Sequence, residues 1–115
     1  MAPGLTDRHA RVHRGCLRLA ECRAGWPWGI DTSRLVVGDH RWGVLGQIFA
    51  ERAGPHADPH KLGLRLLGVP PGHAVDFGFE PRDDEDADLL GQIWSVDLMT
   101  LRVESQVRPP LPLHR

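Results

Sequence analysis

The chain has 115 residues, a formal charge of −1, 41% hydrophobic and 25% charged residues, the balance of one globular domain and not of a disordered polar chain. A domain of this length buries roughly two thirds of its unfolded surface around a single core. No run approaches the roughly 20 apolar residues of a membrane helix, and Met1-Ala2-Pro3-Gly4 leads into no hydrophobic signal core, so a cytoplasmic protein without membrane contact is expected.

Charge is unevenly placed. Met1 to Arg23 carries five arginines against Asp7 and Glu21, a net of +3, and Asp76 to Asp88 carries seven carboxylates against Arg82, a net of −6. Such separation either steers a charged partner or pairs the two ends of one fold.

Residues 1–13 carry no apolar period and are expected to form a mobile basic arm. The globular domain is expected over 14–104 and a proline-rich tail over 105–115. From Gly15 to Arg23, Cys16, Leu17, Leu19 and Ala20 suit a short helix stopped by Gly25 and Pro27. On that helix Cys16 and Cys22 stand roughly 9 Å apart along the axis, whereas a disulfide needs Cα atoms within about 7 Å. Two free thiols are expected. Trp26 and Trp28 flank Pro27; buried they clamp the loop to the core, exposed they mark an interface.

Arg34 to Val37 is a short β-prone run ended by Gly38, with Asp39 as the expected cap of the next helix. Apolar density peaks from Trp42 to Ala50, where Trp42, Leu45, Ile48 and Phe49 fall at helical spacing beside Val44. Gly43 and Gly46 inside this helix each cost about 1 kcal/mol relative to alanine, which points to a close backbone approach. The hexamer Leu45 to Ala50, LGQIFA, returns as LGQIWS at Leu90 to Ser95. Because the flanks do not align, these read as two similar core helices and not a repeat. They are expected to pack on each other with Gly46 or Gly91 at the crossing. Gln47 lies at the edge of the apolar face, and its amide is expected to brace the loop around Ile30 to Leu35.

Asp58 followed by Pro59 reads as an N-cap and first helical residue, opening a helix that carries Leu62, Leu66 and Leu67 to a stop at Gly68. Val75, Phe77 and Phe79 alternate with Asp76, Gly78 and Glu80, an extended piece able to pair with Arg34 to Val37. Asp83, Asp84, Glu85 and Asp86 crowd the positive end of the last helix. It is expected to run to about Val103 with Leu90, Ile93, Trp94, Leu98 and Leu101 inward. Arg108 to Arg115 is extended and holds a Pro-x-x-Pro unit at Pro109 to Pro112, read as tail and not as an SH3-type ligand. The fold class is therefore mainly α: a compact single-domain helical fold of about four helices, with one short two-stranded β pairing as an option.

Chemistry is sparse. There is no Gly-x-Ser-x-Gly, no phosphate-cradling glycine loop and no pattern around Ser33, Ser95 or Ser105, so no catalytic residue and no cofactor is expected. The candidate metal ligands are His9, His13, Cys16 and Cys22, but their spacing lacks the tight knuckle of Cys-x₂-Cys. His56, Asp58 and His60 form a weaker cluster in which Asp58 is better employed as a cap; both sets read as surface groups. Trp26, Trp28, Trp42, Gln47 and Trp94 are the candidate binding residues of a non-enzymatic protein-interaction module, its partner another protein or a second copy. The alternative is nucleic-acid binding, with Arg8, Arg11, Arg14 and Arg18 of the arm on phosphates. The acidic block and the near-neutral total charge oppose it.

Trp26, Ile30 with Asp31, Leu35, Val44-Leu45-Gly46-Gln47-Ile48-Phe49, Gly78-Phe79-Glu80 and Trp94 follow one pattern over about Leu17 to Arg102. In this the chain resembles a group of small uncharacterised proteins from actinobacteria and their bacteriophages, which have a CVLGQLFG-like central helix. Gly43 stands where that group tends to have cysteine, and Ala50 where it tends to have glycine. The resemblance implies a compact, mainly helical cytoplasmic domain of bacterial or phage origin and no named activity; the role of a regulator or phage accessory factor belongs to the reading as an interaction module.

Overall fold

A computed structural model describes residues 3–107, which form four α-helices and three short 3₁₀ turns. The first helix, α1, spans Pro3–Cys22. It therefore begins well inside the expected arm, and its Arg11 and Val12 are fully buried. The arm is corrected to a helix because its inner face, Arg11, Val12, Gly15 and Leu19, follows helical spacing and packs on the last helix and on the turn Ala74–Phe77. At Gly15 an added Cβ would lie 2.3 Å from the Phe77 carbonyl oxygen, so only glycine lets that turn close on α1. Residues 1–2 and most of the proline-rich tail, with Pro109 to Pro112, lie outside the described residues.

After Gly25, in the left-handed region at φ 76°, the chain makes the 3₁₀ turn Trp26–Gly29. Asp31 then caps a second turn, Thr32–Arg34, accepting from the Ser33 amide at 3.0 Å and its hydroxyl at 2.6 Å. The β-prone run from Arg34 therefore forms no strand: the amides of Arg34, Leu35 and Val36 donate to Asp31 O, Thr32 O and Trp42 O. Val75 to Phe79 curls for the same reason, its Asp76, Gly78 and Phe79 amides being spent on His73, Val75 and Ala74 carbonyls. With their donors satisfied locally, neither segment has a ladder to offer, and no strand occurs among the described residues.

The second helix, α2, spans Val44–Ala53 and starts later than expected. Asp39 Oδ1 accepts from the amides of Arg41 and Trp42, both at 2.8 Å, so it closes a turn ahead of the helix instead of capping it. Trp42 stays outside. The third helix, α3, spans Pro59–Leu67 as its signals require: Asp58 accepts from the amides of His60 and Lys61, and Gly68 ends it at φ 72°. It packs on α2 across Gly63, where a Cβ would come within 2.7 Å of the Phe49 ring.

The fourth helix, α4, spans Asp84–Val107 and is the longest. Asp83 Oδ1 accepts from the Asp86 amide at 2.7 Å. Leu90, Ile93, Trp94 and Leu98 are buried. Trp94 is the hub of the core: its ring meets Trp26 edge-on at 6.2 Å and stacks on Phe79 at 6.0 Å, while its indole N–H donates to Gly78 O at 2.8 Å. The two LGQI helices do not make the main crossing expected of them, for α2 packs chiefly on α3. Gly46 instead faces the His40–Arg41 backbone, and Gly91 faces the Val37 side chain.

Candidate functional site

The four arginines expected to meet phosphates are engaged within the fold. Arg11 Nη1 and Nη2 donate to the two oxygens of Asp86 at 3.0 and 2.8 Å, and its Nε donates to Val75 O at 2.7 Å. Arg8 Nε reaches Asp86 Oδ1 at 2.7 Å, and the Arg82 amide reaches Oδ2 at 2.8 Å. Arg14 donates to Asp76 O at 2.9 Å, and Arg18 lies 5.3 Å over the Phe77 ring. Burial pushes the Asp86 carboxyl up, but the hydrogen bonds from Arg11, Arg82 and Arg8 outweigh it and hold the group well below the usual carboxylate range. Burial likewise opposes the Arg11 charge, and Asp86 more than restores it. The basic and acidic segments thus pair the two ends of one fold through Arg8, Arg11 and Asp86.

His9, His13, Cys16 and Cys22 all lie on α1 without forming a site: among the described residues no three His, Cys, Asp or Glu side chains are grouped to hold a metal ion. Burial pushes the Cys16 thiol up to about 12, with the charge of Asp97 adding to the effect. Cys22 is exposed, and both cysteines are free.

Trp26 and Trp94 are core residues, 5% and 0% exposed, and drop out as contact candidates. Trp28 is 54% exposed, with the Arg102 guanidinium 5.6 Å over its ring, and Trp42 is 38% exposed beneath Arg34. Gln47 braces the loop expected of it. The Asp31 amide donates to its Oε1 at 2.6 Å, and its Nε2 donates to Asp31 O at 3.2 Å and Trp42 O at 3.0 Å. Gln47→Leu would orphan the Asp31 amide and take one of two donors from each of Asp31 O and Trp42 O, which keep the Arg34 and Val36 amides. Water can partly reach the site, so a loss of about 1–2 kcal/mol is expected in urea denaturation. An unchanged midpoint would show that water replaces the amide without cost.

The two most exposed large apolar side chains among the described residues, Val96 and Met99, stand on α4 together with Val103. Val96, Met99 and Val103 are 61%, 64% and 50% exposed. At about 100° per residue they stand within one stripe on the side opposite Leu90, Trp94 and Leu98. Val36, itself exposed, lines with Val96 a groove of about 550 Å³, together with Val37, Asp88, Gly91 and Ser95. Arg102 fixes the margin, donating to Pro27 O at 2.9 and 2.7 Å and to Ile30 O. The sequence reading followed only the inner face of α4; the signal for the outer one was the Val96-Met99-Val103 spacing.

No family model, curated protein or solved structure matches the chain.

Proposed function

We propose that this chain is a small protein-interaction module whose contact surface is the outer face of α4, and that a second copy of the chain occupies it. The supporting observation is that α4 is apolar on two opposite faces, one of which is uncovered. A surface helix normally turns charge to solvent there. The stripe is self-complementary: an antiparallel crossing at Met99 sets Val96 of each copy against Val103 of the other. Its flanks, Gln92, Ser95 and Thr100, bring no like charges together. Binding, not catalysis, is what such a surface provides, as in a small regulator or accessory factor.

Sedimentation over a concentration series tests this. A concentration-dependent dimer is expected, and Val96→Lys with Met99→Lys should weaken it about a hundredfold or more, because lysines would be desolvated at the contact. Circular dichroism should be unchanged, since neither side chain enters the core. A wild-type chain that stays monomeric at about 100 μM, where even a Kd of about 10 μM would show, removes the second copy as occupant.

A further inference from the structure

A cleft of about 890 Å³, of the size small molecules occupy, opens between the turn holding His40, the helix α3 and the turn Pro70–Gly72, with Glu80 at its edge. It lies apart from the α4 stripe. His60, expected at the surface, is 1% exposed in its wall. The His40 ring stacks on it, centroids 4.5 Å apart and planes at 19°. Each imidazole has its own carboxylate: His40 Nδ1 lies 2.5 Å from Asp58 Oδ2, and His60 Nε2 lies 2.6 Å from Glu80 Oε2.

Those pairings fix where the lone pairs are. Burial pushes the Asp58 carboxyl up, but bonds from His40 and from the amides of Lys61 and His60 prevail and keep it below its ordinary value. An ionised Asp58 only accepts, so Nδ1 of a neutral His40 carries the hydrogen and Nε2 the lone pair. With Glu80 Oε2 accepting from Nε2 at 2.6 Å, a neutral His60 keeps its lone pair on Nδ1. That Nδ1 is buried without a hydrogen-bond partner among the described residues, a condition that native interiors seldom tolerate.

On the same side of α3, Lys61 and Arg65 line the cleft at i, i+4. Both are exposed, and neither side chain pairs with a carboxylate among the described residues. Like charges at this spacing repel within a helix, and an anion between them would relieve that. Apolar side chains complete the lining, among them Leu64, Val69 and Pro70. Three chemistries therefore converge: a cationic pair, an imidazole with a free acceptor and apolar lining.

We infer that the cleft binds a small carboxylic acid with an apolar body and a hydroxyl or N–H donor, its carboxylate held by Lys61 and Arg65 and its donor received by Nε2 of the half-exposed His40, whose ring is held against His60. A divalent cation is the poorer occupant, because the four side chains pair two by two and no three of them are grouped as ligands.

The probe is 4-hydroxybenzoate, titrated into the intact protein and followed by amide and imidazole NMR signals. Expected are saturable shifts confined to His40, His60, Lys61, Arg65 and their neighbours. Affinity should fall about tenfold or more in Lys61→Gln/Arg65→Gln, and similarly in His40→Phe, which keeps a stacking ring and loses the acceptor. Phenol, which lacks the carboxylate, and benzoate, which lacks the donor, should each bind more weakly than the full probe. Unchanged amide spectra away from the cleft verify that each variant is folded. No saturable binding up to about 10 mM, a range in which a Kd of about 1 mM is plain, overturns the inference. So does phenol or benzoate binding as well as the full probe, or inorganic phosphate saturating the same residues more tightly than 4-hydroxybenzoate.

Discussion

Asp86→Ala is expected to remove about 3–5 kcal/mol of stability, because it leaves a fully buried guanidinium with only the long 3.4 Å contact to the partly exposed Asp7 as counter-charge. Domains of this kind hold about 5–15 kcal/mol in all, so the variant should be largely unfolded at modest urea. Three groups lose an acceptor at once: Arg11 both of its Asp86 bonds, Arg8 its Nε bond, and the Arg82 amide its cap. A double-mutant cycle separates pairing from burial. Arg11→Met in an Asp86→Leu background should cost about 2–3 kcal/mol less than in the wild type, since the second charge no longer needs a partner. It should not be free, for Val75 O and Glu80 O still lose the Arg11 donors. Additive costs would show that the two residues act separately. The sign with pH follows from the depressed Asp86 carboxyl. Its folded pKa is below the unfolded one, so its contribution is complete above the ordinary carboxylate range and is lost as pH falls through the folded value. Wild-type stability should therefore decline through this group from the ordinary carboxylate range down into strong acid, and Asp86→Ala should lack that part of the decline.

How much of this was legible depends on the range of the interaction. Asp58-Pro59, Gly68 and the acidic opening of α4 act within one helical turn, and each ended where its local chemistry placed it. Gln47 was legible as well, since an amide at the edge of an apolar face needs backbone partners, and Asp31 supplied them. Arg11 was not. An arginine reads as a solvated group, and the Asp86 that buries it stands far along the chain, so the span 3–13 looked like an arm. His60 was missed for the same reason, its partner Glu80 belonging to another segment. The alternation of Val75, Phe77 and Phe79 met the strand period, yet Gly78 at φ 70° breaks the extended path and the local carbonyls take the amides. Period is a statement about side-chain facing; where the backbone donors go decides between a strand and a turn.

The two Leu-Gly-Gln-Ile hexamers carry the last test, because identical local sequence should respond to the same substitution with opposite sign. A Cβ at Gly46 would lie 2.5 Å from His40 O and 2.7 Å from the Arg41 carbonyl atoms. These are backbone atoms in a turn held by Asp39 Oδ1, by the Gly43 amide on Asp39 O and by Gln47 Nε2 on Trp42 O, so the turn cannot swing aside as a side chain would. Gly46→Leu should therefore cost about 3 kcal/mol, the overpacking exceeding the roughly 1 kcal/mol that leaving glycine returns in helix propensity. Gly46→Ala should destabilise too, since the clash begins at Cβ. At Gly91 the nearest atom is Val37 Cγ2 at 3.9 Å, an ordinary contact. There Gly91→Ala meets no obstacle and should stabilise by about 0.5–1 kcal/mol through propensity and a stiffer unfolded chain. Urea midpoints of the two alanine variants decide the matter. Shifts in the same direction would mean that the His40–Arg41 turn yields, and that the closeness of Gly46 to it does not control the entry into α2.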